Sequence, residues 1–525
     1  MRRPHRTARA PRLAARLIQP ALAASVAAAF LICGCTGTPH PAAGYVSFVI
    51  ESMPANLDPR IGTDFASERL DGLLFDSLVQ RDAQMNIAPD LAQSWEQPDP
   101  TTYVFHLRRD VRFHDGRTLT SADVKFTFDS IASGAIETTK RGAFAYISTI
   151  ETPDPYTVIF RMRSITTSFL WDISRPAIGI VPQGAGAEIA QHPIGTGPFR
   201  FQSAVQDDNV VLERNPDYFG GVPQIFEVRF RIVPEAIVRA LELRKGTADL
   251  EVSSLSPDMV GVLARQPGIA VTESTGTNYS YVAINFDNPA LAHREVRQAL
   301  AYATDRASII QNLLRGEAHL ADGLLPPGNW AAAPNLKSYP YDPARAEQLL
   351  DAAGFPRRAD LGGMRLHLTL KTSTEESSRL LGAVLREQWR KVGVDLELRA
   401  LEFGTLYADI TKGNFDLFTL RWIGVNDDPS VFQFVFESDH MPPAGANRGL
   451  YRNAQLDSLL AQARMEPDAG RRKALFLQVQ QIIAEDEPYI SLWFNDNICV
   501  HRARITGIQL SPAGNLEFLD TIRAN

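Results

Sequence analysis

Apolar and polar residues alternate along Tyr103-Val104-Phe105-His106-Leu107, the period of two that puts one side of a strand in a core and the other in water. Similar apolar runs predict strands over 45–50, 157–162, 225–232, 247–252 and 279–286, and again over 366–370 and 394–398. Between them the period lengthens to that of a helix. Helices are predicted around 66–78, over 234–245 ending at Gly246, and from His293, where Val296, Leu300, Ala303, Ile310 and Leu314 share a face before Gly316. Two more are predicted from Asp342 to about Ala353, with Gly354 as the stop, and over 379–391. Their starts are marked chemically. Thr120-Ser121-Ala122-Asp123 has the capping pattern [ST]-x-x-[DE], and Asp342 followed by Pro343 reads as an N-cap with proline in the first helical position. Strands interleaved with helices imply an α/β fold.

The N-terminus follows a different pattern. Arg2, Arg3, Arg6, Arg9, Arg12 and Arg16 precede an almost wholly apolar stretch over 17–32, the layout of a secretory signal peptide. It runs into Leu31-Ile32-Cys33-Gly34-Cys35, which resembles a bacterial lipobox with cleavage after Gly34 and lipid on Cys35. The remainder is more acidic than the whole-chain charge of −7, because six arginines leave with the leader. Cys499, in the apolar run Ile498-Cys499-Val500, reads as a small core residue.

Length and composition narrow the class. At 525 residues the chain exceeds what one core holds, so two or more lobes are expected. With 45% hydrophobic and 22% charged residues it is neither disordered nor a polytopic membrane protein, and its acidic balance argues against nucleic-acid binding. Three cysteines make no disulfide scaffold.

The motifs of common chemistries are missing from the sequence: HExxH, GxSxG, the phosphate loop GxxxxGK[ST], and Cys/His metal spacing. Gly195-Thr196-Gly197-Pro198 lacks the lysine of a phosphate cradle and reads as a structural turn. His114-Asp115 has no nucleophile near it in sequence and reads as structural, and Asp427-Asp428 beside Pro429 as solvated loop acids. No catalytic residue, cofactor or metal is assigned; the chain reads as a binder.

A series of ordered motifs resembles one family, the family 5 extracytoplasmic solute-binding proteins of ABC importers. They run from Leu91-Ala92-Gln93-Ser94-Trp95-Glu96 through Val111-Arg112-Phe113-His114-Asp115-Gly116 to Asn215-Pro216-Asp217-Tyr218-Phe219. They continue with Arg297-Gln298-Ala299-Leu300-Ala301-Tyr302 and Tyr341-Asp342-Pro343-Ala344-Arg345-Ala346. The resemblance implies a two-lobed periplasmic-binding-protein fold (type II) with an extra subdomain on lobe I. The expected organisation is a signal peptide over 1–34, a tether over 35–43, lobe I over 44–65, 193–284 and 490–525, the subdomain over 66–192, and lobe II over 285–489. Ligand would lie between the lobes, most simply a peptide, with an oligosaccharide, an opine or a nickel complex as the alternative within the family. A periplasmic hydrolase is the remaining alternative. The implied partners are the permease and ATPase subunits of the importer and, through Cys35, a membrane of the cell envelope; the protein is expected to be a monomer.

Thr419-Leu420-Arg421-Trp422-Ile423-Gly424 resembles the lobe II strand and loop along which peptides lie. Family peptide binders place an Asp three residues after the Trp, against the peptide's ammonium group. Here Val425 stands there, followed by Asn426, Asp427 and Asp428, so Asp427 is the candidate replacement. Trp422, Arg421, Gly424, Asn426, Asp427 and Tyr279 are the expected ligand-binding set. Trp422 and Arg421 should point to opposite sides of their strand, and Tyr279 and Tyr281 to one common side, which we assign to the cleft.

Overall fold

The computed structural model describes residues 45–82, 85–175, 178–424 and 428–525. The expected leader, tether and lipidated Cys35, and also Val425, Asn426 and Asp427, lie outside the described residues. Tyr45–Asn525 forms one compact unit. Its backbone is an eleven-stranded mixed sheet. At one end Val394–Leu401, Leu366–Ser373 and Leu417–Trp422 lie side by side; at the other are Leu250–Val252, Tyr45–Ile50, Glu227–Ile232, Asn209–Arg214 and Phe199–Val205. Two long antiparallel strands, Ile269–Ile284 and Tyr489–Arg502, join the two ends.

Each long strand also pairs outward: Tyr279–Ile284 with Leu417–Trp422, and Cys499–His501 with Leu250–Val252. Ile269 to Ser274 pair with Arg502 to Asn497, and pairing resumes at Asn278 with Asn495 after a register shift. Within this gap Gly276 packs on the Asn495 carbonyl so closely that a Cβ would sit 2.1 Å from the oxygen. The bulge therefore requires glycine, and it separates the two paired stretches of the ladder.

A second sheet stands apart. Ala92–Asp99, Thr102–Leu107, Thr157–Met162 and Ile147–Asp154 form four antiparallel strands in that order. The alternation read at Tyr103–Leu107 emerges as predicted: Tyr103, Phe105 and Leu107 are buried. They meet Phe128, Phe144, Phe160 and Phe169, with Phe105 edge-on to Phe160 at 5.6 Å and Phe128 edge-on to Phe160 at 5.2 Å. Edge-to-face aromatic pairs add about 0.5–1.5 kcal/mol each beyond the area they bury. Helix Ser121–Ser133 covers this core. At its start the Asp123 carboxylate accepts from both the N–H (2.8 Å) and the hydroxyl (2.9 Å) of Thr120, as the capping pattern implies.

The turn at Gly195 ties subdomain to lobe. The Gly197 N–H donates to the Leu74 carbonyl at 3.0 Å, and Thr196 donates to the buried Asp76 at 2.6 Å. His114 accepts from the Gly195 N–H through Nδ1 (3.2 Å) and donates through Nε2 to the Gly197 carbonyl (3.1 Å). Both the glycine turn and the His-Asp pair are therefore structural.

One predicted helix is two. The face running from Val296 to Leu314 is interrupted after Arg294–Tyr302, and Arg306–Asn312 begins anew. Asp305 accepts from the Ser308 N–H at 3.0 Å and so caps the second helix, while Thr304 donates back to the Leu300 carbonyl and accepts from the Trp389 indole N–H. Local side-chain bonds outcompete continuation of the helix. Cys499 is fully buried in the core around Phe48, Phe199 and Phe230, and burial raises its thiol pKa well above the ordinary value.

Candidate functional site

Strands Leu366–Ser373, Val394–Leu401 and Leu417–Trp422 run parallel, so their carboxyl ends share one edge of the sheet. Helices Glu376–Lys391 and Phe403–Thr411 begin immediately beyond that edge. This is where open α/β sheets leave a crevice for ligands. A cavity of about 460 Å³ occupies it. Ser373, Glu375, Ser377 and Ser378 form one wall, Phe403 and Tyr407 another, and residues 419–423 the floor; Leu492, Trp493, Leu313 and Leu314 complete it.

The strand ending at Trp422 positions the candidates. Trp422 pairs with Tyr279 and Arg421 with Ser280 on the neighbouring long strand. Alternation sends Trp422 into the core with Tyr279 and Tyr281, and leaves the Arg421 side chain half-exposed, 3.9 Å from Glu375. The Trp422 ring stacks on Tyr281 at 6.1 Å, and Tyr281 on Tyr489 at 4.2 Å. Tyr281 also borders the cavity. Tyr279 does not: the common face packs against core, where Tyr279 is 1% exposed and hydrogen-bonded to Ser491 at 2.6 Å. Burial raises the pKa of all three tyrosines, that of Tyr489 to about 12, so they are neutral phenols. The Trp422 indole N–H is buried without an acceptor among the described residues. Gly424 follows at φ 66°. Asp428 is not a solvated loop acid; it is half-buried, its carboxylate accepts from the Ser430 N–H at 2.8 Å, and burial raises its pKa.

Several residues of this edge escaped the sequence reading. Arg448 lies over the Trp422 ring (5.3 Å) and the Tyr407 ring (5.1 Å) and donates to the Tyr407 hydroxyl at 3.1 Å. It sits in a loop between helices Val431–Phe436 and Ala454–Met465, where no periodicity marks a face. The one available signal is Asn447 beside it, whose side-chain amide donates to the carbonyls of Glu437 and Tyr451 and pins the loop. Phe403 and Tyr407 follow strand Val394–Leu401 and could have been found from helical spacing.

A second cavity, of about 250 Å³, lies where Tyr146 and residues 164–168 of the subdomain face Trp330, Asp428 and Arg472. The single cluster of potential metal-ligating groups found among the described residues is Glu437, Asp439 and His440. Glu437 there is already held by Arg464. None of the three lines the larger cavity.

A concave, largely apolar crevice with convergent polar groups, on a mixed sheet whose two ends are joined by paired strands, defines a binder of small solutes. The profile of the bacterial extracellular solute-binding proteins, family 5, matches residues 86–440, and the chain belongs to that family. The protein is thus the solute-binding component of an ABC importer, a binding protein rather than an enzyme. It is 28% identical over 539 residues to the di/tripeptide-binding protein 1 of Pseudomonas aeruginosa, covering 96% of this chain and 98% of the relative. NikA of Brucella suis, solved with Fe(III)-EDTA, superposes with a TM-score of 0.83 at 25% identity, over 92% of this chain and 100% of the other. The ABC transporter-associated binding protein DppA of Helicobacter pylori, solved with the peptide STSA, does so with a TM-score of 0.75 at 26% identity, over 92% and 98%.

Proposed function

We propose that this protein captures short peptides in the crevice at the Leu417–Trp422 edge and delivers them to the permease of its importer. The observation that carries the reading is the cavity of about 460 Å³ beside that strand end. Its volume suits a ligand of a few residues, and relatives of near-equal length bind di- and tripeptides by name. Closure of lobe I (44–65, 193–284, 490–525, with its subdomain 66–192) over lobe II (285–489) would follow from tighter solute binding in the closed form. Among the expected contacts, Trp422, Arg421 and Gly424 offer an aromatic floor, a cation and a flexible turn, and Asn426 and Asp427 continue the same loop in sequence. The chain acts as a monomer anchored through lipid on Cys35 after loss of 1–34, with its lobes outside the inner membrane; no helix among the described residues is long and apolar enough to cross a membrane.

Native mass spectrometry of the protein as purified tests the ligand. A di- or tripeptide is expected, and a sugar or a metal chelate would overturn the peptide assignment. A non-peptide solute is the second reading, favoured by Val425 standing where family peptide binders carry the ammonium-pairing Asp. For the anchor, Cys35→Ser should release the protein from membranes, and unchanged retention would refute lipidation there.

A further inference from the structure

We infer that the solute carries an anionic group, a carboxylate, and that Arg448 receives it. The inference rests on the crevice being the solute site and adds the chemical class of what enters.

Seven arginines are buried among the described residues. Six of them satisfy their guanidinium with a carboxylate or a backbone carbonyl. Arg60 pairs with Asp58 at 2.7 Å, and Arg365 with Glu347 and Asp351. Arg306 meets Asp322 and two carbonyls, and Arg69, Arg239 and Arg297 donate to carbonyls. Arg448 is the exception. It is 8% exposed, has no acidic partner and no carbonyl acceptor among the described residues, and donates only to the Tyr407 hydroxyl. The guanidinium offers five N–H donors, and the residue lines the cavity. The rings of Trp422 and Tyr407 attract its charge without using those donors. A ligand carboxylate entering the cavity would supply both the opposite charge and the acceptors, in the bidentate geometry that arginine favours.

The surroundings have the same sign. Arg421 is a second cation in the lining, while the one lining carboxylate, Glu375, is mostly exposed and lies beside Arg421. The Ser373, Ser378 and Thr419 side chains add small polar groups. Phe403 and Ile423, each more than half exposed at the rim, suit an apolar body behind the acid. The charged lining is thus two arginines against one exposed carboxylate, a balance that favours an anion.

The probes are Ala-Phe, N-acetylphenylalanine and the C-terminal amide of each, titrated calorimetrically into the full-length protein stripped of solute. The acids should bind and the amides should bind roughly 10- to 100-fold more weakly, the range for a hydrogen bond to a charged group. Arg448→Gln should abolish the difference while leaving the melting temperature near that of the wild type. Arg448→Lys, which keeps the charge but loses the fork, should retain part of the preference and guards against a folding defect in the first variant. Amides that bind as well as acids, an Arg448→Gln protein that still discriminates, or no binding by either acid would each overturn the inference. An acid preference seen with N-acetylphenylalanine but no binding of Ala-Phe would uphold it and overturn the peptide assignment. Equal binding of Ala-Phe and its amide would do the reverse.

Discussion

Replacing His114 by Gln should flatten the acid limb of the stability profile. The imidazole is locked in one tautomer, because Nδ1 faces the Gly195 N–H and Nε2 donates to the Gly197 carbonyl. Burial disfavours the charged ring, so the pKa falls from 6.5 to about 4, and a second ring proton would also oppose the Gly195 N–H. Between those two values the unfolded chain binds a proton that the folded chain refuses. Stability from this group is therefore complete above pH 6.5 and is lost as pH falls towards 4. The gap corresponds to about 3 kcal/mol, and partial exposure of the ring reduces this to about 1–2 kcal/mol. Glu251, raised by burial to about 7, and Asp76, raised by burial to about 6, work in the opposite sense, gaining stability as pH falls. The informative quantity is thus the difference between wild type and His114→Gln in urea denaturation at pH 7, 5.5 and 4.5. Gln keeps a donor and an acceptor, so it should cost about 1 kcal/mol at pH 7, and this penalty should shrink or reverse by pH 4.5. A penalty independent of pH, or a His114 ring that titrates near 6.5 by NMR, would refute the reasoning.

Three further outcomes are expected. Phe105→Ala empties the centre of the four-stranded subdomain and should destabilise the protein by about 3–5 kcal/mol in denaturant titrations; a loss below 1 kcal/mol would mean the ring cluster is not a core. Gly276→Val forces a side chain onto the Asn495 carbonyl and should lower the melting temperature by an amount equivalent to about 1–3 kcal/mol, whereas Gly261→Ala, where a Cβ meets nothing within 4 Å, should not. With Cys33 and Cys35 replaced by Ser, Cys499 should resist thiol reagents in the folded protein and react fully in denaturant; rapid labelling of the native state would contradict its burial.

Much of the fold is legible in the sequence wherever local chemistry and burial agree. Tyr103 to Leu107 alternate because one face covers an aromatic core, and Thr120 and Asp342 announce helices because their side chains cap them. The reading failed where a side chain's partner is distant in sequence. Thr304 and Asp305 divide a helix through bonds that involve Trp389 and Gln388, and nothing within the helical pattern announces those partners. The candidate site divides in the same way. Trp422 and Arg421 lie on a patterned strand, whose period alone gives their opposite directions. Arg448 occupies an irregular loop, and its relation to Trp422 and Tyr407 exists only after the second lobe has folded. Tyr279 and Tyr281 illustrate a further limit: period two shows that they share a side, while only packing against Phe418, Tyr489 and Phe494 shows which side that is.

The paired long strands make residues 279–494 a cassette. Because Asn278 lies opposite Asn495, the ends of the intervening segment are about 5 Å apart, one strand spacing. The whole length between them, with the crevice edge and its arginines, hangs from a single two-stranded stem. Its removal and replacement by a short hairpin turn would leave the Ile269–Ser274 and Asn497–Arg502 ladder intact. An exchange of this segment between relatives would move nearly all of the residues that line the crevice. In evolutionary terms, one graft at one stem would exchange the crevice while the ladder beneath it stays.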